Sequence, residues 1–184
     1  SFLDKRVKII EGDVTQIQDI LNATKDQEIV IHLAAKISVE DSIRNPSETF
    51  HTNVDGTKNV LAACEKNHIK KLIVASSAAV YGEGSPGIKL TENSELNPIS
   101  PYGKSKSQME HEIKKFISKH DMNCIILRFF NIYGVGQSSE YAGVITKFIN
   151  RIALNQSLEI FGNGMQTRDF VAVQDVIGAI DNSI

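Results

Sequence analysis

Lys71-Leu72-Ile73-Val74-Ala75-Ser76-Ser77 decides how this chain folds. Its middle, Leu72 to Ala75, is apolar on both faces. That suits a strand in a parallel sheet covered by helices on each side, not a half-exposed strand, where apolar and polar residues alternate. Helical patterns bracket it. Upstream, Asp55 to Lys66 carries Val60, Leu61 and Cys64 at helical spacing. Downstream, Lys104 to Lys119 carries Met109, Ile113, Phe116 and Ile117 on one face. Farther out, Glu28 to Leu33 and Cys124 to Phe130 read as apolar strands, Val7 to Ile10 as a short one, and Tyr141 to Leu154 as a helix. Strand and helix alternate, which predicts βαβ units and a doubly wound α/β parallel sheet. The pattern then changes. Leu158-Glu159-Ile160-Phe161 reads as a strand, Gly162-Asn163-Gly164 as a turn, Arg168-Asp169-Phe170 as a second strand, and a helix follows from Gln174.

Composition bounds the possibilities. The 184 residues make one domain, or one domain and part of a second. At 41% hydrophobic and 23% charged, the chain has the balance of a soluble globular protein. Twenty Lys and Arg against 22 Asp and Glu leave a net charge of −2, which excludes a strongly basic nucleic-acid arm and offers no polybasic membrane surface. No apolar run approaches the roughly 20 residues of a transmembrane helix, and Ser-Phe-Leu-Asp-Lys-Arg lacks a signal-peptide core. Cys64 and Cys124 sit in apolar periodic segments and read as reduced core residues of a cytoplasmic protein. None of His32, His51, His68, His111 and His120 has metal-ligand spacing, so no metal is expected.

Ligands of such sheets bind at the carboxyl ends of the strands. There, Gly82-Glu83-Gly84-Ser85-Pro86-Gly87 matches the dinucleotide fingerprint letter for letter. The fingerprint works only where a helix starts at it. Ile88 to Pro101 has no helical period, so this glycine motif reads as a solvent loop.

The chemistry lies in Ser100-Pro101-Tyr102-Gly103-Lys104-Ser105-Lys106. Ser100 is an N-cap and Pro101 fits the first helical position, so Tyr102 and Lys106 share one helix face. A phenol titrates near 10 and must drop about 3 units, roughly 4 kcal/mol, to act as a base at neutral pH. A neighbouring ammonium and the helix N-terminus both have the right sign. The plain alternative is an exposed tyrosine and a solvated lysine. Ser77, ending its strand, could hydrogen-bond a substrate hydroxyl beside Tyr102, or bond only to its local backbone.

With these residues in view, the chain resembles the extended short-chain dehydrogenase/reductase family, the nucleotide-sugar epimerases and dehydratases, and within it the UDP-glucose 4-epimerases. The likeness runs through Gly12-Asp13-Val14, His32-Leu33-Ala34-Ala35, Asn53-Val54-Asp55-Gly56-Thr57, Ser76 to Gly82, Tyr102-x-x-x-Lys106, Leu127 to Gly134 and Gly162 to Phe170, in that order. It implies a Rossmann-like portion over residues 1–135 and part of a substrate-binding lobe over 136–184, returning to the core near 170–184. It implies NAD as cofactor, a UDP-sugar as substrate, and a homodimer formed by the helices at Asp55–Lys66 and Lys104–Lys119.

The resemblance also implies roles. Ser77, Tyr102 and Lys106 match the catalytic Ser, Tyr and Lys. Asp13 would accept from the adenine amino group, or else cap the following helix. Leu33, Ala34 and Ala35 would let the backbone approach the dinucleotide. Lys36 would lie near its ribose or phosphate, or be a surface lysine. Asn53 would hold the loops around the cofactor, or cap its own helix. Ser76 would line the cofactor and Phe129 lie near the nicotinamide. Asn131 would bind the diphosphate or sugar and Arg168 the diphosphate, with an ion pair to Asp169 as Arg168's alternative.

The family's dehydratases place Asp-Glu after the catalytic Thr. Ala78-Ala79 stands here and cannot transfer protons, which favours C4 epimerisation of UDP-glucose and UDP-galactose over elimination. A reductase of the same fold and a non-catalytic nucleotide-binding domain are the alternatives. The family's glycine-rich turn belongs ahead of Asp13. The sequence therefore reads as a piece of a longer chain whose first β-α-β unit is missing and whose apolar strand Ile29 to Leu33 lies at an open edge.

Overall fold

The computed structural model describes residues 4–84, 87–137, 143–160 and 162–184. Three parallel strands form the main sheet in the order β1 (Ile29–His32), β2 (Lys71–Ser77), β3 (Asn123–Phe129). Val30, Leu72 and Cys124 lie abreast, so the stretch apolar on both faces is the central strand. Between β1 and β2 run α2 (Val39–Arg44), α3 (Pro46–Phe50), a π-helical turn (His51–Asp55) and α4 (Gly56–Lys66); α1 (Ile17–Ala23) precedes them. Between β2 and β3 lie a 3₁₀ turn (Ala78–Tyr81) and α5 (Pro101–Ile117). A parallel pair, β4 (Asn131–Tyr133) with β5 (Phe170–Ala172), follows, with α6 (Val144–Ala153) between its strands and α7 (Val173–Asp181) after them.

The core sits where α4 and α5 pack on one face of β2: Val60, Leu61 and Cys64, then Ile69, Leu72 and Val74, then Met109 and Ile113. Each fully buried Leu, Ile or Met there contributes roughly 2 kcal/mol. Burial pushes the Cys64 thiol up to about 12 and Cys124 up to about 11, so both are protonated core residues, as their periodicity suggested.

Several expectations need correction. Val7 to Ile10 forms no strand: Val7 is 52% and Ile9 74% exposed, and the segment pairs with no strand among the described residues. A strand exists only as part of a ladder, whatever its propensity. Leu158 to Ile160 is not a strand either. Arg151 of α6 ties this segment instead, donating to the Ser157 carbonyl (2.8 Å) and the Glu159 carboxylate (2.9 Å); Phe161 lies outside the described residues. The strand expected at Arg168–Phe170 begins at Phe170 and runs to Ala172. The helix expected from Tyr141 is seen from Val144, residues 138–142 lying outside the described set. As expected, β1 is an edge strand with Ile31 and Leu33 exposed.

Candidate active site

The carboxyl end of β2 and the first turns of α5 build the site. Ser100 caps α5, its Oγ accepting from the Gly103 amide (3.0 Å), with Pro101 in the first turn as the sequence indicates. The helix can start this close to the end of β2 because residue 103 is glycine: a Cβ there would stand 2.6 Å from the Ala79 carbonyl oxygen. Tyr102 is buried, and its amide donates to the Ser42 hydroxyl of α2 (3.1 Å). Ser42 in turn donates to the Val39 carbonyl (2.6 Å). One turn along α5, Lys106 is 3% exposed and its Nζ donates to the Ala75 carbonyl, two residues before Ser77 (2.8 Å). The Ser77 hydroxyl accepts from the Ala79 amide (3.2 Å), and its nearness pulls the Tyr102 phenol down. Phe129 closes β3 opposite Ser77. Ser77, Tyr102, Lys106 and Phe129 thus converge on one end of the sheet.

The electrostatics differ from the sequence expectation. Burial raises the Tyr102 phenol above its ordinary value; Ser77 pulls it down but does not win. Lys106 spends its ammonium on the Ala75 carbonyl. Burial lowers Lys106 to about 8 against the opposing pull of Glu110, so it stays charged at neutral pH. The reason for the correction is that a buried phenolate carries a desolvation cost that spacing along a helix cannot reveal.

Around this centre, Asn53 is fully buried and joins three groups. Its Oδ1 accepts from the Lys36 amide (2.8 Å), and its Nδ2 donates to the Lys36 carbonyl (3.0 Å) and to Ser105 Oγ (2.9 Å). Ser105 passes the connection on to the Tyr102 carbonyl (2.7 Å). Asn53 is therefore a clamp between the loop after β1 and α5, and no cap of its own helix. Leu33 and Ala34 are exposed and Ala35 half-buried on that loop, an open shelf of small and apolar groups at the sheet edge. The Lys36 ammonium pairs with Glu48 at the surface. Asp13 does not cap α1, whose N-cap is Gln16; its carboxylate closes a turn by accepting from the Thr15 amide (2.8 Å), which holds it below the usual range.

Asn131 and Arg168 belong to the β4–β5 unit. Asn131 Nδ2 donates to the Asp169 carbonyl (2.8 Å), and exposed Arg168 donates to the Thr167 carbonyl (2.7 Å), with no ion pair to Asp169 among the described residues. No hydrogen bond or ion pair joins these two side chains to Ser77, Tyr102 or Lys106 among the described residues. The glycine motif is a loop: Gly82 has φ +72°, and the next helix is α5. Ser85 and Pro86 lie outside the described residues.

Sequence reasoning missed three buried polar residues beside the site, Ser42, His32 and Glu110, and the half-buried Arg128. Each has a partner 18 or more positions away, which no local pattern reveals. His32 bonds Thr57 Oγ1 (2.9 Å), whose own proton goes to the Asn53 carbonyl (2.7 Å), so His32 donates from Nε2 as the neutral tautomer. Burial, aided by the Lys106 charge, lowers His32 to about 4. The unfolded imidazole titrates near 6.5, so the unfolded state binds the extra proton first. Stability is complete above about 6.5 and falls by ~3 kcal/mol as pH drops to about 4. Urea unfolding across this range checks it: His32→Gln should remove that part of the slope, and an unchanged slope would assign it elsewhere.

The chain matches the NAD dependent epimerase/dehydratase family over residues 1–183. It is 46% identical over 157 residues to a putative UDP-glucose 4-epimerase of Methanocaldococcus jannaschii, covering 84% of this chain and 51% of that one. It is 32% identical over 186 residues to the dTDP-D-glucose 4,6-dehydratase of Dictyostelium discoideum, covering 95% and 42%. The structure superposes with TM-score 0.91 and 38% identity on the UDP-N-acetylglucosamine 4-epimerase of Methanobrevibacter ruminantium, solved with UDP-N-acetylmuramic acid, covering 97% of this chain and 58% of that one. The chain spans about half the length of the curated relatives it matches. With its parallel sheet and its Ser, Tyr and Lys at the sheet's carboxyl end, it belongs to the NAD dependent epimerase/dehydratase family, which makes NAD its cofactor.

Proposed function

We propose that the complete protein is a nucleotide-sugar 4-epimerase that interconverts UDP-glucose and UDP-galactose through a transient 4-keto sugar. The observation that carries this reading is the convergence of Ser77, Tyr102 and Lys106 on one strand end that continues into Ala78 and Ala79. Elimination of water needs an added acid and base. The 3₁₀ turn presents two methyl groups where those would stand, so the geometry favours epimerisation although dehydratases are among the relatives.

The residues fit a dinucleotide. Leu33 to Ala35 offer it an exposed shelf, Asn53 fixes the adjoining backbone, and buried Lys106 sets a positive charge beside the strand end. When bound, NAD supplies a two-electron acceptor and a positively charged ring. Tyr102 takes the proton of the sugar hydroxyl, Ser77 holds that hydroxyl by a hydrogen bond, and Lys106 keeps a positive charge beside the strand end. Ser76 and Phe129 border the cofactor; Asp13 and Lys36 reach its far end. Asn131 and Arg168, in the β4–β5 unit that opens the substrate lobe, bind the sugar diphosphate, for which a planar guanidinium is suited. The protein forms a homodimer through α4 and α5, which flank a surface groove of about 330 Å³ lined by Leu61, Phe116 and His120. Light scattering reads that state.

Proton NMR of UDP-galactose with the complete protein and no added nicotinamide tests the reading. The UDP-glucose anomeric signal should appear. No conversion until reduced cofactor is added would make the protein a reductase, and silence with both would leave a binding domain.

A further inference from the structure

Among the described residues, the Glu110–Arg128 pair brings two charges together that the proposed chemistry does not use. Glu110, on α5 two turns beyond Tyr102, is 1% exposed. Its carboxylate accepts from Arg128 Nε (2.9 Å) and Nη2 (2.7 Å), a forked pair, and from Ser76 Oγ (2.6 Å). The other arm of Arg128 donates to the Tyr81 hydroxyl (2.9 Å) and the Glu92 carbonyl (3.1 Å), and the guanidinium stands 4.9 Å from the Tyr81 ring centre. Ser76 precedes Ser77, and Tyr81 ends the turn that Ser77 caps.

Resting on the reading of Ser77 and Tyr102 given above, we propose that the Glu110–Arg128 pair is a positioning device that fixes Ser77 against Tyr102. It gathers into one unit the strand end before Ser77, the end of the 3₁₀ turn after it, the helix that carries Tyr102, and the loop at Glu92. Cohesion alone does not account for it, because a buried ion pair is seldom more stabilising than apolar side chains of the same volume. Apolar side chains would hold the same elements together, but they would aim no bonds at Ser76 and Tyr81. Glu110 also faces Lys106 and Lys114 along its own helix, and its position holds the charge of Lys106.

The complete protein tests this with Glu110→Met, Arg128→Met, the double variant and Tyr81→Phe. Each single Met variant leaves one buried charge unpaired and should melt early. The double should regain most of the melting temperature while kcat stays about 100-fold down with KM nearly unchanged, the signature of a displaced reacting group. A double variant that recovers kcat with its fold would overturn the proposal. Should the double fail to fold, Tyr81→Phe decides: it removes one hydroxyl, and kcat should fall about tenfold at unchanged melting temperature, whereas a wild-type kcat sinks the idea. A wild-type protein without epimerase turnover would refute the functional reading and not this one. Ultraviolet titration of the Tyr102 phenol, identified by its loss in Tyr102→Phe, then carries the test. Tyr81→Phe should shift it through Ser77, and an unmoved titration rejects the clamp.

Discussion

Tyr102→Phe should lower kcat by about 10³-fold while leaving the melting temperature and the KM for UDP-galactose close to those of the parent, since positioned proton transfer contributes 10²–10⁴. The ring stays packed, because Tyr102 is buried in the first turn of α5 and its amide remains on Ser42. Only the oxygen that takes the substrate proton, and its contact with Ser77, are removed. The same NMR conversion measures the loss. A variant that keeps turnover within tenfold would dismiss the phenol as the base, and with it the epimerase reading.

A second large effect, on folding, is expected at Asn53. Asn53→Ala removes one acceptor and one donating amide. The Lys36 amide and carbonyl lose their partner at once, and Ser105 loses the bond it accepts from Nδ2 while keeping its own to the Tyr102 carbonyl. Leaving a buried polar group unpaired costs roughly 1–3 kcal/mol, so the loss should reach about 3 kcal/mol in urea unfolding. Asn53→Asp keeps the volume but cannot donate, and it buries a charge, so it should be no better. A cost below about 1 kcal/mol for the Ala variant would show that the clamp is replaceable.

What the sequence made legible follows from how local each signal is. The Ser100–Pro101 start of α5 was readable because the cap closes within three residues. The central strand was readable because both its faces are apolar. The short helices were not: α2 and α3 have five or six residues and too few apolar positions for a period. Their caps, Ser38 to Asp41 and Asn45 to Glu48, each close within three residues. Val7 to Ile10 misled because a strand is a property of a pair. The raised phenol of Tyr102 was hidden because burial depends on residues such as Ser42, sixty positions away. The Glu110–Arg128 pair was hidden for the same reason, its members lying on a helix and a strand with no common period.

The bond from the Tyr102 amide to Ser42 bears on motion. The first amides of a helix have no partner within it, and helix ends are where local opening is easiest. Here two of those amides are taken, Tyr102 by another helix and Gly103 by the cap. The end of α5 that ought to fray is therefore anchored, and the tyrosine keeps its place on the timescale of α2 leaving α5 and not on that of a terminal turn unwinding.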